Sequence, residues 1–398
     1  MTEAAVLGYG TVGSGVVEVI EKNAEVIAKR CEGLHVKYIL DLRDFPGDPY
    51  EDRLVHDVDV ILSDESVKVV CETMGGAGAA YDFTKRALMA GKSVCTSNKE
   101  LVELHGAELA RIAKEHNCSY LFEASVGGGI PLIRTIYRAL TAERIESIFG
   151  ILNGTTNYIL HRMELAGIAF DEALKEAQEL GYAEKDPTAD IEGHDPARKI
   201  AILASLVLGK KVDYSSMYME GITKVEPVDM EYAKALGGSI KLVAMCEFAE
   251  NGVYAMVSPR FIPKDNPLLC VRDVFNGVLI HSDMLDDSMY YGRGAGKLAT
   301  ASAVVGDAVE CVNHPGKNVG HCWSEEKVQL KDIGDLSFRY LLRVKQEGAA
   351  AAEAAFGCEA KAQEGVNGET AFLTAPVTER DFQKKLADLP AVIRYYRV

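Results

Sequence analysis

The stretch Ala4-Ala-Val-Leu-Gly-Tyr-Gly-Thr-Val-Gly13 decides how the rest of the chain is read. Ala4 to Leu7 make a short apolar strand that runs straight into Gly8-x-Gly10-x-x-Gly13, and a helical pattern follows from Val16 to about Cys31. Each glycine then has its own task. Gly8 permits the tight turn, Gly10 lets backbone approach a pyrophosphate, and Gly13 lets helix and strand pack closely. The phosphates would then sit on the positive helix N-terminus. A βα turn that is merely glycine-rich is the weaker reading, because strand and helix both stand where the motif needs them.

Outward from this turn, a second strand over residues 35–42 ends in Asp41-Leu-Arg43-Asp44, where an adenosine ribose would lie. An acid here binds a ribose 2′-hydroxyl, whereas Arg43 can neutralise a 2′-phosphate, and its placement favours NADP over NAD. Apolar strands over 68–74 and 93–97, separated by a helix over 81–90, continue the βα rhythm of a parallel sheet. Their carboxyl ends carry Glu72-Thr73-Met-Gly-Gly76 and Thr96-Ser-Asn98-Lys99-Glu100, polar groups able to face a nicotinamide. A helix over 102–116 and a strand over 119–123 lead to Ala124-Ser-Val-Gly-Gly-Gly-Ile-Pro131. Beside Glu123 this segment can hold a hard cation through oxygen ligands or serve as an interdomain hinge, and composition favours the hinge.

The formal charge of −16 excludes a nucleic-acid footprint or an anionic membrane surface as partner, since no basic run exceeds pairs such as Lys210-Lys211. Nine cysteines without a C-x-x-C pair read as reduced thiols, and with no apolar leader the expected compartment is the cytoplasm. Cys311, His314, His321 and Cys322 do not have the spacing of a zinc module.

A second α/β domain follows. A strand over 145–152 enters Asn153-Gly-Thr-Thr-Asn-Tyr158 and a helix to Leu165; further helices cover 170–180 and 197–208, and residues 240–262 alternate as antiparallel strands. Between two of these helices lies Gly181-Tyr-Ala-Glu-Lys-Asp-Pro-Thr-Ala-Asp-Ile-Glu-Gly-His-Asp-Pro-Ala-Arg-Lys199. Asp195 suits an N-cap and Pro196 the first helical position, which puts Lys199 one turn on, on the face of Asp195. Glu184, Asp190 and Asp195 then read either as a carboxylate cluster around one lysine or as a solvated acidic loop over a capped surface helix; composition alone favours the loop, and the rest of the chain turns the reading to the cluster. A last glycine-rich turn, Gly292-Arg-Gly294-Ala-Gly296, opens a helix of small residues that can return to the first domain and bring Gly296 to the coenzyme.

Jointly these motifs resemble homoserine dehydrogenase over residues 4–313. The pieces that carry the resemblance are 8–13, Ser97–Glu100, 123–131, 152–160, 181–199 and 294–305. The fold so implied is α/β. It has a Rossmann-type parallel sheet over 1–128, completed by a returning helix near 295–313, an α+β catalytic and dimerisation domain over 129–320, and a small tail over 334–398. The implied reaction is reversible NAD(P)-dependent interconversion of L-homoserine and L-aspartate 4-semialdehyde, on the way to threonine and methionine, in a homodimer or homotetramer. By match, Lys199 and Lys99 are the catalytic lysines, and Glu184, Asp190, Asp195 and Gly181 bind the substrate. Gly8, Gly10, Thr11, Val12, Gly13, Arg43, Thr73, Thr96, Asn98, Lys99 and Gly296 bind the coenzyme. Glu123, with backbone oxygens of Val126, Gly128 and Ile130, matches a monovalent-cation site for Na⁺ or K⁺. Ala299 replaces a common proline, and Lys185 stands where a small residue or proline is usual.

The chemistry agrees with the match. Oxidising a primary alcohol needs a hydride acceptor and a base for the hydroxyl proton, and a lysine serves both directions. Two other readings are a coenzyme-binding sensor without turnover and an aldehyde dehydrogenase using Cys95, which would need a Cys–His arrangement that the sequence does not supply. The tail, from about Leu336, resembles a shortened ACT-type domain of βαββαβ order, with Gln346-Glu-Gly-Ala in place of the usual Pro-Gly turn and no evident second strand.

Overall fold

In the computed structural model, which describes residues 1–362 and 365–398, strand Thr2–Leu7 lies inside a parallel sheet. Its last four residues are buried, as a central parallel strand requires. The six strands run Leu54–Val55, Leu34–Leu40, Thr2–Leu7, Val67–Glu72, Ser93–Thr96 and Tyr120–Leu121 across the sheet. In chain order this is 3-2-1-4-5-6, so the direction of winding reverses between Thr2–Leu7 and Val67–Glu72. A crevice at such a reversal is where doubly wound sheets bind ligands.

Two compact units partition the chain. The first comprises Met1–Ala142, Ala201–Val212 and Gly292–Val328. In it helix Lys297–Asn313 packs on helix Thr11–Lys22, with Gly15 against Lys297 and Ala301. The small residues of the later helix permit this approach, and Ala301, Val304, Val305 and Ala308 join the core under the sheet.

The second unit comprises Glu143–Ile200, Asp213–Tyr291 and Gln329–Val398. Strands Gly238–Ala249 and Gly252–Pro263 form a long antiparallel hairpin; Ile145–Ile151 pairs with its first strand, and Phe275–Ser282 pairs with Ile145–Ile151 beyond it. The tail extends this sheet: Val392–Arg397 runs parallel to Gly252–Pro263 and antiparallel to Tyr340–Lys345. The tail has the order βαββαβ, and its strands lie side by side as fourth, first, third, second. Its second strand is only Ala360–Lys361, and so short and exposed a segment carries no alternation from which a sequence could reveal it.

Buried charge anchors the tail. Arg397 is 1% exposed and makes a bidentate pair with Glu379 at 2.7 and 2.8 Å, while the Tyr340 hydroxyl donates to the same carboxylate. Arg343 reaches Glu369 at 2.6 Å and Asp229 at 3.0 Å, the latter on helix Pro227–Ala235. Removing one member of such a pair strands the other charge in a low dielectric.

Candidate active site

The glycine turn presents backbone and no side chains. Gly8 has φ +88°, and a Cβ at Gly13 would stand 1.8 Å from the Gly8 carbonyl oxygen, so the turn admits no side chain there. At Gly10 a Cβ would meet nothing within 4 Å: space lies open in front of the helix that starts at Thr11, the geometry a pyrophosphate needs. Thr73 donates its hydroxyl to the Gly8 carbonyl at 2.8 Å, tying the second crevice wall to the turn. A cleft of about 640 Å³ runs from Gly8 and Gly10 past Asp41, Arg43 and His56 to Thr73.

Asp41 accepts the Tyr9 amide at 2.8 Å and a fork from Arg43 at 3.0 Å. Arg43 holds the Asp41 carboxyl well below the usual carboxylate range, and its own guanidinium lies 5.0 Å from the Phe45 ring. His56, which no sequence motif marks, bonds the Asp41 carbonyl at 2.7 Å and completes this wall. Its distance from the glycine turn along the chain leaves no local signal. At the other strand ends, Thr96 is fully buried, and Asn98 caps the helix whose first residue is the half-buried Lys99. Gly296 precedes helix Lys297–Asn313 and accepts the Thr300 amide.

The acid stretch departs from expectation in a useful way. Residues 188–191 form a short helix, and the next helix begins at His194, with the Ala197 amide donating to the Gly193 carbonyl. Asp195 is therefore in the first turn and is not the N-cap, and Pro196 is not the first helical residue. Gly193, with φ +88°, lets the chain enter the helix two residues early. This shift frees the Asp195 carboxylate to face its neighbours. It is 3% exposed and accepts the Lys199 ammonium at 2.7 Å, while Lys199 also donates to the Leu152 carbonyl at 2.8 Å.

Asn153 joins the cluster, a role the sequence does not suggest. Its side-chain nitrogen donates to Asp190 at 2.7 Å and Asp195 at 2.8 Å, while its oxygen caps helix Gly154–Ala166. The structure thus brings Asp190, Asp195 and Lys199 together. Glu184 is exposed and bonds Gln178 through its backbone carbonyl, and Gly181 ends the helix Phe170–Glu179, so neither shares the described bonds of the cluster.

Around the triple glycine, both Glu123 carboxylate oxygens accept backbone amides, from Ile133 and Arg134 at 2.8 Å each. Gly128, at φ +54°, lies against the backbone of Gly294. Cys311, His314 and His321 point to separate neighbours: the Cys95 thiol at 3.7 Å, the Glu310 carbonyl and the Tyr137 ring. Cys95 is 0% exposed and burial pushes its thiol well up, the opposite of an activated nucleophile.

A family profile described as homoserine dehydrogenase matches residues 131–309, and one described as its NAD-binding domain matches residues 8–123. A homoserine dehydrogenase of Neisseria gonorrhoeae is 36% identical over 97% of this chain and 94% of its own length. The chain belongs to the homoserine dehydrogenase family. One from Pseudomonas aeruginosa is 41% identical over 78% of this chain and 72% of its own. Among solved structures, a homoserine dehydrogenase from Thiobacillus denitrificans superposes with a TM-score of 0.88 at 33% identity, covering 100% of this chain and 97% of that one. The enzyme is accordingly an NAD(P)-dependent oxidoreductase of amino-acid biosynthesis acting on a CH–OH group. Nothing in these relatives supports a sensor without turnover. Among the described residues no helix is long and apolar enough to cross a membrane.

Proposed function

We propose that Lys199 is the acid and base of the interconversion of L-homoserine and L-aspartate 4-semialdehyde, and that Asp190 and Asp195 receive the substrate. One observation carries the reading. Two carboxylates converge on a single amide nitrogen of Asn153, and one of them also takes the Lys199 ammonium. Like charges this close repel unless cations share the space. Lys199 supplies one, and the α-ammonium of homoserine would add another beside Asp190 and Asp195. When bound, the nicotinamide coenzyme accepts or returns the hydride. Lys199, held in direction by Asp195 and the Leu152 carbonyl, takes the hydroxyl proton in oxidation and returns it to the forming alkoxide in reduction. Glu184 and Gly181 border the same acid stretch and would close over the substrate.

Lys99 and the coenzyme residues Gly8, Gly10, Thr11, Val12, Gly13, Thr73, Thr96, Asn98 and Gly296 belong to the coenzyme side of this reading. Arg43 forks onto Asp41 and cancels its charge, which removes the usual objection to a 2′-phosphate and supports NADP as preferred coenzyme. An archaeal relative of 28% identity and TM-score 0.66 was solved with NADPH. A monovalent cation would be held by Glu123 with backbone oxygens of Val126, Gly128 and Ile130. The tail, with its ACT-like strand order, would serve dimer or tetramer formation, and the compartment is the cytoplasm.

In a Lys199→Ala protein, turnover with homoserine should fall by about 10²–10⁴-fold while coenzyme binding persists. Wild-type turnover in that variant would remove the assigned role, and initial rates with NAD and NADP side by side would test the coenzyme preference.

A further inference from the structure

At the carboxyl edge of the parallel sheet stands a buried acid to which none of these roles gives a task. Glu72, the last residue of strand Val67–Glu72, is 0% exposed. A carboxylate in such a place is costly unless its oxygens meet donors. They do: one accepts the Met74 amide at 2.7 Å and the other the Thr96 hydroxyl. Thr96 in turn accepts the Asn98 amide at 2.9 Å. The Asn98 side chain then divides its work. Its oxygen accepts the Leu101 amide, capping helix Lys99–Glu115, and its nitrogen donates to the Gly76 carbonyl at 2.7 Å. Next to Glu72 in the chain, Thr73 holds the Gly8 carbonyl of the glycine turn. One carboxylate therefore links the loop 73–76, the end of the neighbouring strand and the start of the helix that opens with Lys99.

We propose that Glu72 is a positioning residue for the coenzyme: its carboxylate ties loop 73–76 to the Thr96–Asn98 segment and so sets both the crevice wall and the direction in which Lys99 is presented. The part concerning Lys99 rests on the role given to that lysine above; the part concerning the crevice wall does not. The network is built for the ionised form. Both partners donate to the ionised carboxylate; a proton on the oxygen facing Thr96 turns that bond round, and the Thr96 hydroxyl, which already accepts the Asn98 amide, is left without an acceptor for its own hydrogen, so that tie is loosened. Burial raises the Glu72 carboxyl to about 7, against the opposing pull of Thr96, Met74 and Asn98. Of the groups facing it from neighbouring strands, Thr96 and Asn98 are neutral, and Tyr120 is a phenol pushed well above its ordinary value by burial and by Glu72. The ties therefore tighten as pH rises through neutrality and slacken below it.

The test uses the full-length enzyme. NADPH dissociation constants, read from nicotinamide fluorescence without substrate, are measured from about pH 5.5 to 9 for the wild type and for Glu72→Gln and Thr96→Val, with kcat and KM alongside. The wild type should bind NADPH progressively more weakly below about pH 7. Glu72→Gln, whose amide nitrogen opposes one of the two donors, should bind about tenfold more weakly at pH 8 and show no acid limb, as loss of one charge-assisted bond predicts. Thr96→Val keeps the acid but removes a donor that favours its ionised form, so its limb should move to higher pH. A Glu72→Gln profile that overlays the wild type would overturn the proposal. If that variant does not fold, a Thr96→Val limb unmoved from the wild type would do so. A Lys99→Met control separates the two readings: full turnover there removes the role of Lys99 but leaves the fluorescence comparison intact.

Discussion

At residues 8–13 the functional groups are backbone amides of one continuous turn, whereas around Lys199 they are side chains drawn from Leu152–Asn153, Asp190 and Asp195–Lys199. The first region needs only that certain positions lack a Cβ; the second needs bonds between residues 37, 42 and 47 apart in sequence. Damage to the first should therefore act through sterics and spare substrate recognition, and damage to the second should act through charge and spare the coenzyme.

Gly13→Ala gives the largest expected effect that could break this contrast. Its Cβ would collide with the Gly8 carbonyl of the same turn and lie 2.7 Å from the hydroxyl of Thr73, which ties the second crevice wall to that turn. NADPH affinity should drop about a hundredfold, with a loss of about 1–3 kcal/mol in stability from forced overpacking. Unchanged affinity in a fluorescence titration would show that the turn can relax around a side chain.

Asn153→Ala probes the other region. Without the bridging amide, Asp190 and Asp195 face each other with one fewer donor, and kcat/KM for homoserine should decline by about ten- to a hundredfold. The coenzyme dissociation constant should stay put; a parallel fall in both would mean that Asn153 supports more than the acid cluster.

A smaller effect, on stability and not on kinetics, is expected at Lys241, which shares the second unit with the acid cluster but takes no part in it. It is 1% exposed, pairs across the sheet with Arg260, and burial lowers its ammonium to about 8, Glu164 opposing. Between about 8 and its ordinary 10.5 the unfolded chain holds the proton and the folded chain does not, so stability rises with pH across that window. Below it the full cost is present. Lys241→Met should therefore add about 1–2 kcal/mol at pH 7 and flatten the alkaline rise. Thermal unfolding at pH 7 and 10 measures both, and a less stable variant at pH 7 would contradict the sign.

Much of the fold is legible in the order of residues alone. The βα alternation over residues 2–121, the hairpin over 238–263 and the helix of small residues after Gly296 follow from local periodicity and turn chemistry. The candidate site is legible as a set of residues and not as an arrangement. Lys199, Asp190 and Asp195 can be chosen from one stretch, yet the expected Asp195 cap is misplaced because Gly193 starts the helix early. Glu123 can be chosen too, but not the fact that its carboxylate accepts the Ile133 and Arg134 amides.

By itself, then, the sequence determined the geometry of the glycine turn, since the φ sign at Gly8 and the missing side chains at Gly10 and Gly13 are local properties. Residue types near Lys199 were equally plain. Only the tertiary structure decided that Asn153 would bridge the acids, that His56 would join the Asp41 wall, and that the tail would extend the second sheet through Arg397 and Arg343. Each depends on which distant segments pack together, and that is settled by burial across the whole unit and not by any run of neighbouring residues.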